Sequence, residues 1–290
     1  MYPGVQFISW NGGCTANFVF TNPNATRVFI GTAAHCAALP NSGGDCAALT
    51  GPAPVDPAND QRLAFFGPDL QWMDYAKARS VGHYVYNSNL AMKQLGEHNV
   101  EACYENDFAL IEVDPHVTNP SLDHWGGPVL PMTRTAPSMG DHLYTVGGTI
   151  YRETPPIVSG IVPPVQEMTR PREGFATPTE TLPVDPRHLA WGSTAQFVGQ
   201  CLGGDSGSPV VDAAGHALGV VERSIQVIGS NCEFSYVGQM LDYALTHRGC
   251  AWCLPNDIPE LVLQTGTETF TPGVLPCVSS RTPASRGCTD

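Results

Sequence analysis

The apolar residues of this chain come in short runs, each closed off by Gly, Pro, Asn or Asp. Phe18–Phe20, Arg27–Ile30, Leu63–Phe66, Val81–Tyr86, Phe108–Val113, His142–Val146, Ala195–Val198, Pro209–Val211 and Ala217–Val221 all have this form. Runs this short suit β-strands, and 30 glycines and 26 prolines in 290 residues supply the turns between them. The pattern predicts an all-β sandwich or barrel rather than a helical bundle. One clear helix is expected late, because Val237, Met240, Leu241, Ala244 and Leu245 fall on one face and Gly249 stops it. A weaker helical turn is expected over Asn89–Leu95.

Three stretches interrupt the rhythm. Pro40–Asp60 is polar and rich in Gly and Pro, and reads as an insertion loop. Arg152–Arg187 is rich in proline and reads as a long surface excursion. Residues 249–290 carry four cysteines and few core-forming residues, and read as an extension.

Charge narrows the partners. The chain carries 14 Lys+Arg against 27 Asp+Glu, a net charge of -13. Lys77 and Lys93 are its only lysines. Neutralising phosphates needs clustered cations, so nucleic acid and anionic membrane surfaces are disfavoured. No apolar stretch reaches the roughly 18–20 residues of a membrane-spanning helix. The start, MYPGVQFISW, lacks a basic segment followed by an apolar core, so it does not read as a signal peptide.

Ten cysteines are many for this length. They suit a disulfide framework made in an oxidising compartment. Cys250-Ala-Trp-Cys253 has the spacing of half a zinc site, but Cys277 and Cys288 make a poor second half. Two disulfides among these four, in any of three connectivities, is the preferred reading, with no metal. Asn24-Ala25-Thr26 is the one glycosylation sequon.

The chemistry-bearing segments are Thr32-Ala33-Ala34-His35-Cys36, Asn106-Asp107-Phe108 and Gly203-Gly204-Asp205-Ser206-Gly207-Ser208-Pro209, each beside an apolar run. A serine hydroxyl is a poor nucleophile until a neutral imidazole removes its proton. The imidazole needs a carboxylate to fix its tautomer and stabilise its cation. Asp107 suits that role because it opens the apolar run Phe108–Val113; Asp60 is a rival on a polar loop. Gly204 and Ser206 can aim two backbone N–H groups at one point, as an oxyanion site requires. The remaining histidines, including His83, His98 and His216, read as surface or packing residues.

With TAAHC at 32–36, NDFALIEV at 106–113 and GDSGSP at 204–209, the chain resembles the chymotrypsin-like (trypsin-fold) serine proteases over roughly residues 5–248. The resemblance implies two six-stranded antiparallel β-barrels with a C-terminal helix. The first, residues 1–120, would carry His35 and Asp107. The second, 121–248, would carry Ser206 and the helix, with 249–290 as a Cys-rich extension. It implies catalytic His35, Asp107 and Ser206, an oxyanion hole from Gly204 and Ser206, and disulfides Cys14–Cys36 and Cys201–Cys232. Cys46–Cys103 then follows by elimination. It also implies a secreted monomer that cuts protein or peptide substrates without a cofactor.

The departures carry information too. The family seats a freed N-terminus against the Asp before the nucleophile, here Asp205, and this chain begins too close to Cys14 to supply that segment. Either further residues precede this sequence, or Asp205 pairs with an internal cation, for which Arg134, Arg152 and Arg223 are candidates. The specificity pocket maps onto Gln200, Glu222, Ser224 and Phe234. None of the candidates for its base is acidic, so Arg/Lys specificity is not expected, and Phe234 would narrow it. Glu222 stands where the family has a serine beside the catalytic Asp, so it would repel Asp107 or one of the two carboxyls would hold a proton; an alignment shifted by two places Ser224 there instead. A catalytically silent homologue acting as a binding module is the alternative. An α/β-hydrolase is disfavoured by the chain order and the lack of Gly-x-Ser-x-Gly.

Overall fold

The computed structural model describes residues 2–9, 12–37, 64–65, 82–122, 125–127, 132–147, 171–177, 191–198, 201–225 and 231–271. The insertion loop 40–60, Asp60, Arg152, Gln200, Cys46, Cys277 and Cys288 lie outside the described residues.

The first half holds β1 (Gln6–Ser9), β2 (Gly12–Thr15), β3 (Val19–Thr21), β4 (Val28–Thr32), β5 (Ala64–Phe65), β6 (Gly82–Asn87) and β7 (Ala109–Val113). The second half holds β8 (His142–Val146), β9 (Pro171–Thr177), β10 (Gly192–Phe197), β11 (Pro209–Asp212), β12 (Ala217–Ile225) and β13 (Asn231–Tyr236). All its pairings are antiparallel, and these six strands close into a barrel in the order β10-β13-β12-β11-β8-β9. The fold is all-β, as the short apolar runs predict.

One expectation needs revision. Arg152–Arg187 is not wholly a surface excursion: residues 171–177 are β9, hydrogen-bonded on both sides and needed to close the barrel. Pro171 opens that strand, where a missing N–H costs least. The described part of the first half forms an antiparallel three-stranded sheet, β2-β1-β5, and an antiparallel five-stranded sheet. The five-stranded sheet borrows β14 (Val262–Leu263) from the segment read as an extension, in the order β14-β3-β4-β7-β6.

Residues 249–271 are therefore part of the packed body. Leu254, Ile258, Leu261 and Phe270 are buried in the same cluster as Phe20, Phe108, Val146 and Val220, so this segment seals the junction of the halves. The Cys250–Cys253 disulfide tightens the turn that starts it. Arg248 then spans the turn, donating to the carbonyl oxygens of Leu254, Pro255 and Ile258 at 2.9–3.0 Å. Phe270 meets Tyr144 edge-on at 5.6 Å.

Three α-helices lie among the described residues. Asn87 caps α1 (Ser88–Leu95), accepting from the Leu90 N–H, and Gly96 ends it in the left-handed region. Asn99 caps α2 (Val100–Glu105), which the spacing of apolar residues does not reveal. The expected late helix is α3 (Val237–Thr246), with Met240, Leu241 and Ala244 buried at the junction.

Ile258 is fully buried. Ile258→Ala is expected to destabilise the protein by about 2–5 kcal/mol in a denaturant melt. An appended tail outside the core would give a change within about 0.5 kcal/mol.

Candidate active site

His35 and Asp107 meet because β4 and β7 are neighbours. Thr32 pairs with Ala109, so the residues just after β4 and just before β7 emerge at the same end of the sheet. His35 sits in a short 3-10 turn, Ala34–Ala37, tied to β2 by the Cys14–Cys36 disulfide. One carboxylate oxygen of Asp107 accepts the His35 backbone N–H at 2.8 Å, and the other lies 2.5 Å from His35 Nδ1. Gripping backbone and ring together fixes the imidazole's direction.

Neighbouring side chains hold this geometry. Asn87, besides capping α1, donates from Nδ2 to the Ala34 carbonyl oxygen at 2.9 Å. Ser88 Oγ accepts the Phe108 N–H at 2.9 Å and donates to the Asn106 carbonyl oxygen. Both residues are buried.

The pair is electrostatically coupled. Burial pulls the His35 pKa down, but the charge and hydrogen bond of Asp107 outweigh it, and the net shift is upward. Burial pushes Asp107 up, but His35 outweighs that, and its net pKa is lowered. Asp107 therefore stays ionised and the imidazole becomes a stronger base. Cys14 and Cys36 sulfurs lie within 4.8 Å of the His35 ring, but both are used in the disulfide and offer no thiolate to a metal.

Ser206 lies in the turn between Cys201 and β11, and the Cys201–Cys232 disulfide anchors that turn to β13. Thr15 joins it to the first half: its N–H donates to the Ser206 carbonyl oxygen at 2.8 Å and its Oγ1 to the Gly204 carbonyl oxygen at 2.7 Å. Thr32 Oγ1 donates to the Thr15 carbonyl oxygen at 3.0 Å, which completes a chain from the histidine strand to the serine turn. Gly207 has φ 90°, and a Cβ there would strike that same carbonyl, so only glycine fits. The N–H groups of Gly204 and Ser206 donate to no atom among the described residues. Ser206 Oγ donates to the Glu222 carbonyl oxygen at 3.3 Å rather than to His35.

Asp205 is buried beneath this turn, where it accepts the Leu202 N–H at 2.9 Å. Its cation is Arg172 of β9, with Nη2 at 3.3 Å and a fully buried side chain. Arg172 also lies over the Phe197 ring and against the Cys201–Cys232 sulfurs. Of the arginines weighed from the sequence, the two that are described stand elsewhere. Arg134 pairs with Asp242 on the surface, Arg223 pairs with Glu233, and Arg152 lies outside the described residues. Reading β9 as surface hid Arg172.

The pocket candidates scatter. Ser224 is exposed on β12. The Glu222 side chain turns inward, where it is hydrogen-bonded to Ser235. Phe234 is fully buried among Ala195, Val210, Val221 and Cys232, so it fills the barrel interior, where strand alternation sends it.

No family model matches the chain, and no curated protein matches it significantly in sequence. Solved structures match its fold. Thermobifida fusca protease A aligns with a TM-score of 0.50 at 14% identity, covering 91% of this chain and 98% of that one. The chain has the chymotrypsin-like fold. A glutamic-acid-specific serine protease (TM-score 0.48, 13% identity, 83% and 96% covered) and the Nocardiopsis protease (0.46, 16%, 91% and 98%) align less closely. His35 follows β4, Asp107 precedes β7 and Ser206 precedes β11.

Two predictions follow from these contacts. Reaction of Ser206 with a serine-directed phosphonate should fall as acid protonates His35, with an inflection above the ordinary histidine value of about 6.5. Asp107→Asn should slow that reaction and move the inflection downward. Arg172→Met should cost about 3–5 kcal/mol in a denaturant melt, because it strips a guanidinium from a buried carboxylate.

Proposed function

We propose that this protein is a secreted serine endopeptidase. The observation that carries the reading is the two-point grip of Asp107 on His35, together with a serine turn whose Gly204 and Ser206 N–H groups have no partner among the described residues. Ser206 Oγ attacks the scissile carbonyl carbon while His35 Nε2 takes its proton. Asp107 stabilises the imidazolium, and the two N–H groups hold the developing oxyanion. Collapse expels the amine, which takes the proton back from His35 and leaves an acyl-serine. Water, deprotonated by the same imidazole, releases the acid and restores Ser206. The bonds Cys14–Cys36, Cys201–Cys232 and Cys250–Cys253 support export to an oxidising space. Residues 1–120 and 121–248 are the two halves of the catalytic body.

Cleavage after Arg or Lys is not expected. Gln200, which the resemblance puts at the base of the pocket, is not acidic. One contact favours the second reading, a silent homologue that binds peptides without cutting them: Ser206 Oγ points to the Glu222 carbonyl. A mixed peptide library separates the two. The protease reading predicts cleavage products from the wild type, few of them after Arg or Lys, and a loss of about 10⁴-fold or more in Ser206→Ala. Intact peptides with the wild type, or equal cleavage by Ser206→Ala, would contradict it.

A further inference from the structure

Three glutamates are buried behind the His35–Asp107 pair and take no part in the reaction above. Glu105 ends α2, two residues before Asp107; Glu222 lies on β12 and Glu233 on β13. Glu105 reaches across to the second half, where a Cβ on Gly192 of β10 would collide with its Oε2. That oxygen accepts from Ser235 Oγ at 2.8 Å, and the same hydroxyl is hydrogen-bonded to Glu222 Oε1.

Counting charges and hydrogens exposes a shortage. Arg223 is the guanidinium facing this group; its Nε donates to Glu233, its Nη2 is 3.7 Å from Glu222, and its plane lies over Tyr104 at 4.1 Å. Asp107 is engaged with His35. The last two carboxyls meet at Ser235, whose hydroxyl has one hydrogen to give. If both were ionised, two acceptors would compete for one donor in a buried space.

We propose that Glu105 and Glu222 share a proton through Ser235, and that this protonated acid pair seats the Asp107 segment on the second half. Loss of the proton then loosens the site. The pair are positioning residues, and the inference rests on reading His35, Asp107 and Ser206 as a triad. It also explains how a glutamate is tolerated beside Asp107: the pair carries one negative charge there instead of two.

The electrostatics agree. Burial first, and then the charge of Glu233, pushes Glu105 up to about 8. Burial first, and then the charges of Glu105 and Asp107, raises Glu222 well above the usual carboxyl range. The phenols of Tyr104 and Tyr236 also border the group, and burial raises both. A raised carboxyl pKa means that the folded protein keeps a proton the unfolded chain has lost. Stability is therefore fully present below the ordinary carboxyl pKa and falls as pH rises from there to about 8.

Glu105→Gln and Glu222→Gln test the idea, since an amide offers an N–H at every pH. Denaturant melts between pH 4.5 and 8 should show the wild-type unfolding constant rising about tenfold per pH unit for the shared proton. Both variants should lose that rise and keep only the shallower slope from His35, which has the same sign near neutrality. Phosphonate labelling of wild-type Ser206 should also fall above about pH 8, and this alkaline limb should move up or vanish in the variants. Variants that retain the wild-type slope and limb would overturn the proposal. If the slopes differ as expected but Ser206 never labels, the shared proton stands and the protease reading falls. Should the variants fail to fold, carbon NMR of glutamate carboxyls in the wild-type protein gives the answer: one carboxyl titrating near pH 8 supports the pair, and all titrating below pH 6 overturns it.

Discussion

The contact on which the rest depends is the one carboxylate of Asp107 that holds both the backbone and the ring of His35. It demands that a residue after one strand and a residue before another reach the same point. Antiparallel pairing of β4 with β7 meets that demand, and the Cys14–Cys36 bond with Asn87 keeps the histidine turn from drifting. The serine must come from the other half. Thr15 supplies the link, with two hydrogen bonds to the serine turn and one received from Thr32.

Bringing the halves together buries charge, and the structure neutralises it in two ways. Under the serine turn a full ion pair is used: Arg172 against Asp205, walled by a disulfide and Phe197. Behind Asp107 guanidinium is scarce, and Arg223 is committed to Glu233. There a shared proton is the economical answer, since it leaves the pair one negative charge instead of two. Acid protonates His35, while alkali strips the shared proton.

Much of this was legible in the sequence because it is local. The three motifs sit next to the strands that carry them, so the meeting of His35 and Asp107 could be read directly. Short apolar runs announced β-structure, and the spacing of Val237 to Leu245 announced α3. What stayed hidden depends on distant partners. Pro171-Arg172-Glu173-Gly174-Phe175 has little apolar alternation, yet two neighbouring strands make it β9, and Arg172 is hidden with it. Residues 249–271 looked poor in core formers because their few apolar side chains serve a cluster built mostly by others. Glu105 carries no motif, and its partner Ser235 lies 130 residues away.

The most direct test of the central claim is covalent labelling by a fluorophosphonate, mapped to a residue by peptide mass spectrometry in the wild type and in His35→Ala. The account predicts one label per chain, on Ser206, and its loss without His35. A folded wild-type protein that takes no label, or equal labelling of Ser206 in His35→Ala, would contradict it.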